Sequence, residues 1–373
     1  IFEPAEPFAE RDLLVRIEPL SPEHQQAVFV EGGRQRSEIF VGERLRQVDP
    51  VDFGADFGCS GGNSKSGHFL ATPGWLVYAE KINIQFTLFS AFYSPLISTF
   101  SAGFLQEEGL DPEWSISPPG VSAIAAIEDG SVHVAQSALS QGFGPLSKGE
   151  IPSVVHFAQI NEMDGFFITG REDDPDFTWD KLEGADVITF PGGQPLAMFK
   201  YACHKAGIDY DKINLIHPGG AADIDAAFRA GVGEYVQQQG PFPQQLEADG
   251  VGFVVAQSGP LIGPCGFSSL VSTREWLKTD MAKAFMRAYR KTRIYMNETP
   301  ASEIAAAESP YFPDIDEDVL AQCIASYQDL GTWTPHVEIT EPAYEVILDV
   351  FEHFGTLKER YRWDQVCVAP PAG

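Results

Sequence analysis

Hydrophobic and polar positions alternate differently in three parts of the chain. Residues 1–80 are irregular, with Pro-rich acidic segments, one plausible strand at Glu38-Ile39-Phe40-Val41 and the small-residue stretch FGCSGGNSKSGHF. From Ile82 onward, short apolar runs alternate with stretches of helical spacing. INIQFTLF, EWSISPP, VHVAQ, VVHFAQI and GFFITG read as strands, and SPLISTFSAGFLQEEG as a helix closed by Gly109. A short helix is expected around Val121–Glu128. After Asp180 the spacing predicts strand 186–190, helix 195–206, strand 213–216, helix 222–230, strand 234–237, helix 242–249 and strand 252–256. Such alternation predicts βαβ units, hence an α/β fold with parallel-rich sheets flanked by helices.

The last third is mostly helical. GFSSLVST reads as a strand, and Ser272-x-x-Glu275 as a capping box opening a helix to about Asn297. Trp276, Leu277, Met281, Phe285, Met286 and Tyr289 form its apolar stripe. Two more helices are expected near Asp316–Asp329 and Glu341–His353.

Composition narrows the class. At 373 residues and 44% apolar content the chain has room for two or three globular domains. No window holds eighteen uninterrupted apolar residues, which opposes a membrane-spanning helix. The net charge of −28 opposes nucleic acid and anionic membrane as partners. Five separated cysteines form no CxxC pair, and no histidine spacing suggests a metal site, so neither metal nor cofactor is expected. One or two disulfides stay open. A first residue of Ile rather than Met suggests a trimmed start and leaves a removed signal peptide open.

The stretch TFPGGQP, residues 189–195, follows an apolar run and precedes helical spacing, with Pro195 suited to a first helical position. Glycines permit a tight turn and close approach, and a helix start offers unpaired N–H groups. It is a seat for a small ligand or a plain βα turn.

The order of elements resembles the substrate-binding proteins of ABC transporters, in particular the NMT1/THI5-like group related to thiamine-pyrimidine precursor proteins. The carrying segments are LFSAFYSPLISTFSAGFLQEEGLDPE, GSVHVAQSAL, VVHFAQINEMDGFFITGRED, WDKLEGADVITFPGGQP and FRAGVGEYVQQQGPFPQQLE, between Ile82 and His353. The resemblance implies a two-lobed type II periplasmic-binding-protein-like fold with an N-terminal extension over 1–80. Lobe one would comprise 82–164 plus 264–360, and lobe two 165–263. It also implies a small-molecule ligand, an ABC permease as partner, and a periplasmic or cell-surface location, with the cytoplasm as the alternative.

In that layout ligands sit at the carboxyl ends of strands, between lobes that close by hinge motion. The residues just past each strand are Phe92 and Tyr93, Gln136 and Ser137, Asn161, Gly192, Gly193 and Gln194, Gln238, Gln239 and Gly240, then Phe267 and Ser268. Adjacent aromatics cannot both point inward from a strand, so one of Phe92 and Tyr93, preferably Tyr93, is expected to face the cleft. This aromatic, amide-rich set lacks Lys and Arg. It suits a flat, polar, uncharged heteroaromatic ligand held by stacking and hydrogen bonds. Glu162 and Asp164 lie close enough in sequence to receive an amino group.

Other chemistries fit less well. Gly58-Cys59-Ser60-Gly61-Gly62 matches G-x-S-x-G, but no helix pattern follows it. Its spacing to Lys65 also misses a phosphate-binding loop. Enzymes on the same scaffold use clustered cysteines or a cysteine after the first strand; no cysteine lies between Cys59 and Cys203. His156 and His217 are possible bases, though histidines beside strands are more often structural. The segment IFEPAEPFAERDLL suits a chain lying along a partner, so residues 1–80 admit a third reading as the arm of a complex subunit.

Overall fold

The computed structural model describes residues 79–118 and 121–373, and before them three strands, β1 (Leu14–Glu18), β2 (Ala27–Gly32) and β3 (Gln35–Phe40). These strands form an antiparallel sheet in the order β1-β2-β3, and the strand expected at Glu38 falls in β3. The G-x-S-x-G stretch, Lys65 and most of the N-terminal arm lie outside the described residues.

Residues from Ala79 to Gly373 form a separate compact unit built on two five-stranded sheets. The first holds β4 (Glu80–Phe86), β5 (Leu110–Ile116), β6 (Val134–Ala138) and β7 (Val154–Asn161). The second holds β8 (Phe166–Gly170), β9 (Asp186–Ile188), β10 (Asn214–Ile216), β11 (Tyr235–Gln239) and β12 (Phe253–Gln257). The chain then returns to the first sheet as β13 (Ser268–Thr273). Spatial orders are β5-β4-β6-β13-β7 and β10-β9-β11-β8-β12.

The sheets are mixed. β4 runs parallel to β5 and β6, and β9 parallel to β10 and β11, as βαβ units require. β8 and β13 enter their sheets directly from a crossover and run antiparallel to both neighbours. Apolar alternation then buries Ile82, Ile84 and Phe86 of β4 with Leu96, Phe157 and Phe285. Val187, Ile168 and Phe199 pack on one face of the second sheet, and Ile188, Val236 and Phe228 on the other.

Several helix boundaries differ from expectation. Ser272 is still inside β13, donating to the His133 carbonyl at 2.7 Å, so no capping box forms there. The long helix is Asp280–Glu298, capped by Thr279, whose Oγ1 accepts from the Ala282 N–H at 3.2 Å. The helix after β9 spans Gly193–Ala206 and makes Pro195 its third residue. The segment after β4 is two helices, Ser94–Ser101 and Phe104–Glu107, divided at Gly103, which has φ +80°. Helix Ala301–Glu308 carried no sequence expectation. Cys203, Cys265, Cys323 and Cys367 are free and buried, which removes disulfides among these four.

Candidate functional site

Four residues after β4 comes a single 3-10 turn, Ala91–Tyr93, that carries both aromatics. Ser90 builds it twice over: its Oγ accepts from the Phe92 N–H at 3.1 Å and donates to the Gly240 carbonyl at 2.5 Å. Gly240 directly follows β11, so the bond joins the two sheets. Because the aromatics sit on a turn and not a strand, both are buried, which corrects the alternation argument. Phe92 packs against Phe267 and Tyr327, each with ring centroids 5.1 Å away. Tyr93 directs its hydroxyl between Ser268 of the first sheet and Gln239 of the second. Burial pushes its pKa up to about 12.

The amides divide into satisfied and unsatisfied groups. Gln136 accepts from the Thr87 N–H at 2.9 Å and donates to Ser268 Oγ at 2.9 Å. Gln194 donates to the Phe267 carbonyl at 2.5 Å and accepts from Ser140 Oγ at 3.3 Å, a second link between the sheets. Gly193 before it has φ +69°, a left-handed value that favours glycine. Gly193 is exposed, Gly192 half-buried and Gln194 buried, so that loop sends its amide inward. Gln239 Nε2 and Asn161 Oδ1 are buried and have no partner among the described residues.

Asp164 sits on the first crossover and is fully buried. Its Oδ1 accepts from the Phe166 N–H at 2.7 Å, while Oδ2 has no partner among the described residues. Burial pushes its pKa up to about 7, and its charge is felt by Tyr93, Tyr327 and Cys265. A buried polar atom without a partner costs about 1–3 kcal/mol, so such atoms are few in native interiors. Of the nineteen among the described residues, three belong to side chains that face the Phe92–Tyr93 turn, two acceptors and one donor.

Residues 93–303 match the family model described as NMT1/THI5 like. The chain belongs to the NMT1/THI5-like family. Its similarity to YtlA of Bacillus subtilis (strain 168) is 29% identity over 290 residues, covering 77% of this chain and 87% of that protein. The alkanesulfonate-binding protein SsuA from Xanthomonas axonopodis pv. citri, bound to MOPS, superposes with a TM-score of 0.60 at 15% identity. That match covers 78% of this chain and 98% of SsuA. The nitrate-binding protein NrtA from Synechocystis PCC 6803 gives 0.53 at 16% identity, over 79% of this chain and 93% of NrtA. The family member therefore has the two-lobed type II periplasmic-binding-protein-like fold.

Not every candidate reaches the same wall. Strand alternation puts Gln136 and Ser137 on opposite faces of β6, and Gln238 and Gln239 on opposite faces of β11. Gln239 meets Tyr93, whereas Gln238 shares the Val236 face and leaves both amide atoms without a partner. Glu162 pairs with His336 at 2.7 Å and lies 3.3 Å from Thr340 Oγ1, so its carboxylate is engaged. His156 bonds Ser269 Oγ at 2.6 Å inside the first sheet, and burial lowers its pKa to about 3. His217 Nδ1 lies 3.1 Å from the Thr189 carbonyl at the edge of the second sheet.

Three residues at the site drew no notice in the sequence. Trp333 Nε1 donates to the Phe92 carbonyl at 3.1 Å. The Tyr327 hydroxyl accepts from the Gly240 N–H at 2.7 Å and lies 3.1 Å from the Gly165 carbonyl. Arg293 is fully buried and donates to the Ile160 and Thr334 carbonyls at 2.5 and 2.6 Å, fixing the strand that leads into the crossover. The only signal was an aromatic amid turn-forming residues in Gly331-Thr332-Trp333-Thr334-Pro335.

Proposed function

We propose that this chain is the substrate-binding component of an ABC-type import system and hands a small molecule to a permease. It works in the periplasm or at the cell surface. The two lobes are 82–164 plus 264–360 and 165–263, and they pivot at the crossovers after β7 and before β13. The ligand is a small, flat, uncharged heteroaromatic molecule bearing an amino group.

The observation that carries this reading is the trio of unpartnered buried atoms, Gln239 Nε2, Asn161 Oδ1 and Asp164 Oδ2, around Tyr93. A ligand with both donors and an acceptor satisfies all three and recovers their desolvation cost. Tyr93 supplies a ring to stack on, and Asp164 receives the amino group. SsuA and NrtA are named for anions, alkanesulfonate and nitrate. None of the candidate cleft residues here is Lys or Arg, and Asp164 when ionised repels an anion.

Calorimetry with 4-aminopyrimidine, pyrimidine, an alkanesulfonate and nitrate tests the proposal. Heat with 4-aminopyrimidine alone supports it. Heat with either anion and none with the heteroaromatics overturns the ligand class, and silence across a wider aminoheteroaromatic panel overturns the reading.

A further inference from the structure

Glu308 closes the helix Ala301–Glu308 with its side chain fully buried. Its Oε2 lies 2.7 Å from Ser94 Oγ and its Oε1 2.6 Å from Ser98 Oγ. Ser94 Oγ is also 2.8 Å from the Ala91 carbonyl. A hydroxyl has one proton to donate, and a carbonyl can only accept. With Ser94 donating to Ala91, its contact with Glu308 must run the other way. A carboxylic acid can donate that bond and a carboxylate cannot.

We propose that Glu308 is a neutral acid that donates to Ser94, frees the Ser94 proton for the Ala91 carbonyl, and so positions the turn carrying Phe92 and Tyr93. Burial supplies the reason, pushing its pKa up to about 8 although both serines favour the charged form. Among the described residues no Lys, Arg or His pairs with it. Cys323 from helix Glu317–Asp329 and Tyr295 from helix Asp280–Glu298 sense its charge, and Glu303 on its own helix also acts on Tyr295. From helix Ser94–Ser101 the two serines bond it, and Met296 Sδ lies 3.3 Å from Ser98 Oγ. None of these groups is a cation that would hold an ionised Glu308.

When Glu308 loses its proton, the carboxylate takes the hydrogen bonds of both serines. The Ala91 carbonyl then keeps only the Ser94 backbone N–H that closes the turn. The Phe92–Tyr93 turn is therefore tightest at neutral and acid pH and loosens as pH rises through about 8. This rests on the cleft reading only for its effect on ligand capture; the order of the turn does not depend on a ligand.

Hydrogen exchange of the intact chain, followed over a peptide spanning Thr87–Thr99 and corrected for intrinsic rates, reads the turn directly. Its reporters are the Phe92 N–H on Ser90 Oγ and the Tyr93 N–H on the Ser90 carbonyl. Wild-type protection should fall about three- to tenfold between pH 7 and 9. The E308Q variant, whose amide donates to Ser94 and whose carbonyl accepts from Ser98, should hold its protection across that range. A flat wild-type profile, or the same fall in E308Q, overturns the proposal. Should E308Q not fold, the wild-type midpoint decides: one near 8 supports it, and none between 7 and 9 overturns it.

Discussion

The Phe92 carbonyl takes two hydrogen bonds, from Trp333 Nε1 at 3.1 Å and from Asn161 Nδ2 at 2.6 Å. Three distant parts of the chain meet on that oxygen: the turn after β4, the end of β7 and the loop after helix Glu317–Asp329. Removing the indole donor while keeping an aromatic ring deletes one bond and part of the packing. Trp333→Phe should therefore cost about 1 kcal/mol plus a smaller packing loss, read from urea denaturation midpoints. A variant as stable as the wild type would show that Asn161 alone satisfies the carbonyl.

Gly165 faces the Phe92 ring so closely that a Cβ would overlap it. Phe92 is itself fully buried between Phe267 and Tyr327, so the ring has nowhere to retreat. Gly165→Ala should destabilise the protein by about 1–3 kcal/mol through overpacking. Adding Phe92→Leu should return part of that loss, because the two substitutions share one space. Additive penalties in the double variant would locate the strain elsewhere.

Most elements and the crossovers were legible because long periodic segments carry their own signal, as in β7 and in helix Gly193–Ala206. Helix starts were less legible. The Ser272-x-x-Glu275 pattern has the composition of a cap, yet pairing of β13 with β7 holds Ser272 in the strand. The Phe92–Tyr93 turn was misread because strand alternation was extended past Phe86, where the strand stops. Trp333, Tyr327 and Arg293 were missed for another reason: they reach the site from 87 to 241 residues away through tertiary packing. Local spacing holds no trace of such contacts.

Tyr93 makes the sharpest test of the proposed stacking role, because its ring and its hydroxyl can be separated. Tyr93→Ala should weaken binding of 4-aminopyrimidine by about 1–3 kcal/mol in calorimetry. Tyr93→Phe keeps the ring, removes the hydroxyl that faces Ser268 and Gln239, and should cost less. Equal losses in both variants would assign the effect to the hydroxyl, and unchanged affinity in both would remove Tyr93 from the site.

Asp164 and His156 should give the stability of the protein opposing pH slopes. Burial raises the Asp164 carboxyl from its ordinary 3.8 to about 7. The unfolded chain therefore releases this proton first, and the stability due to Asp164 is whole below about 4 and drains as pH rises to about 7. His156 behaves inversely: burial lowers it from 6.5 to about 3, so its contribution is whole above 6.5 and drains as pH falls towards 3. In the wild type the two slopes largely cancel between pH 4 and 6.5. Asp164→Asn removes only the first, and its amide oxygen still accepts from the Phe166 N–H. The variant should gain on the wild type by about 2–4 kcal/mol as pH rises from 4 to 7, read from urea midpoints at fixed pH values. A constant difference would mean that Asp164 keeps its ordinary acidity in the folded protein, and the amino-group acceptor of the cleft would then be charged over most of that range.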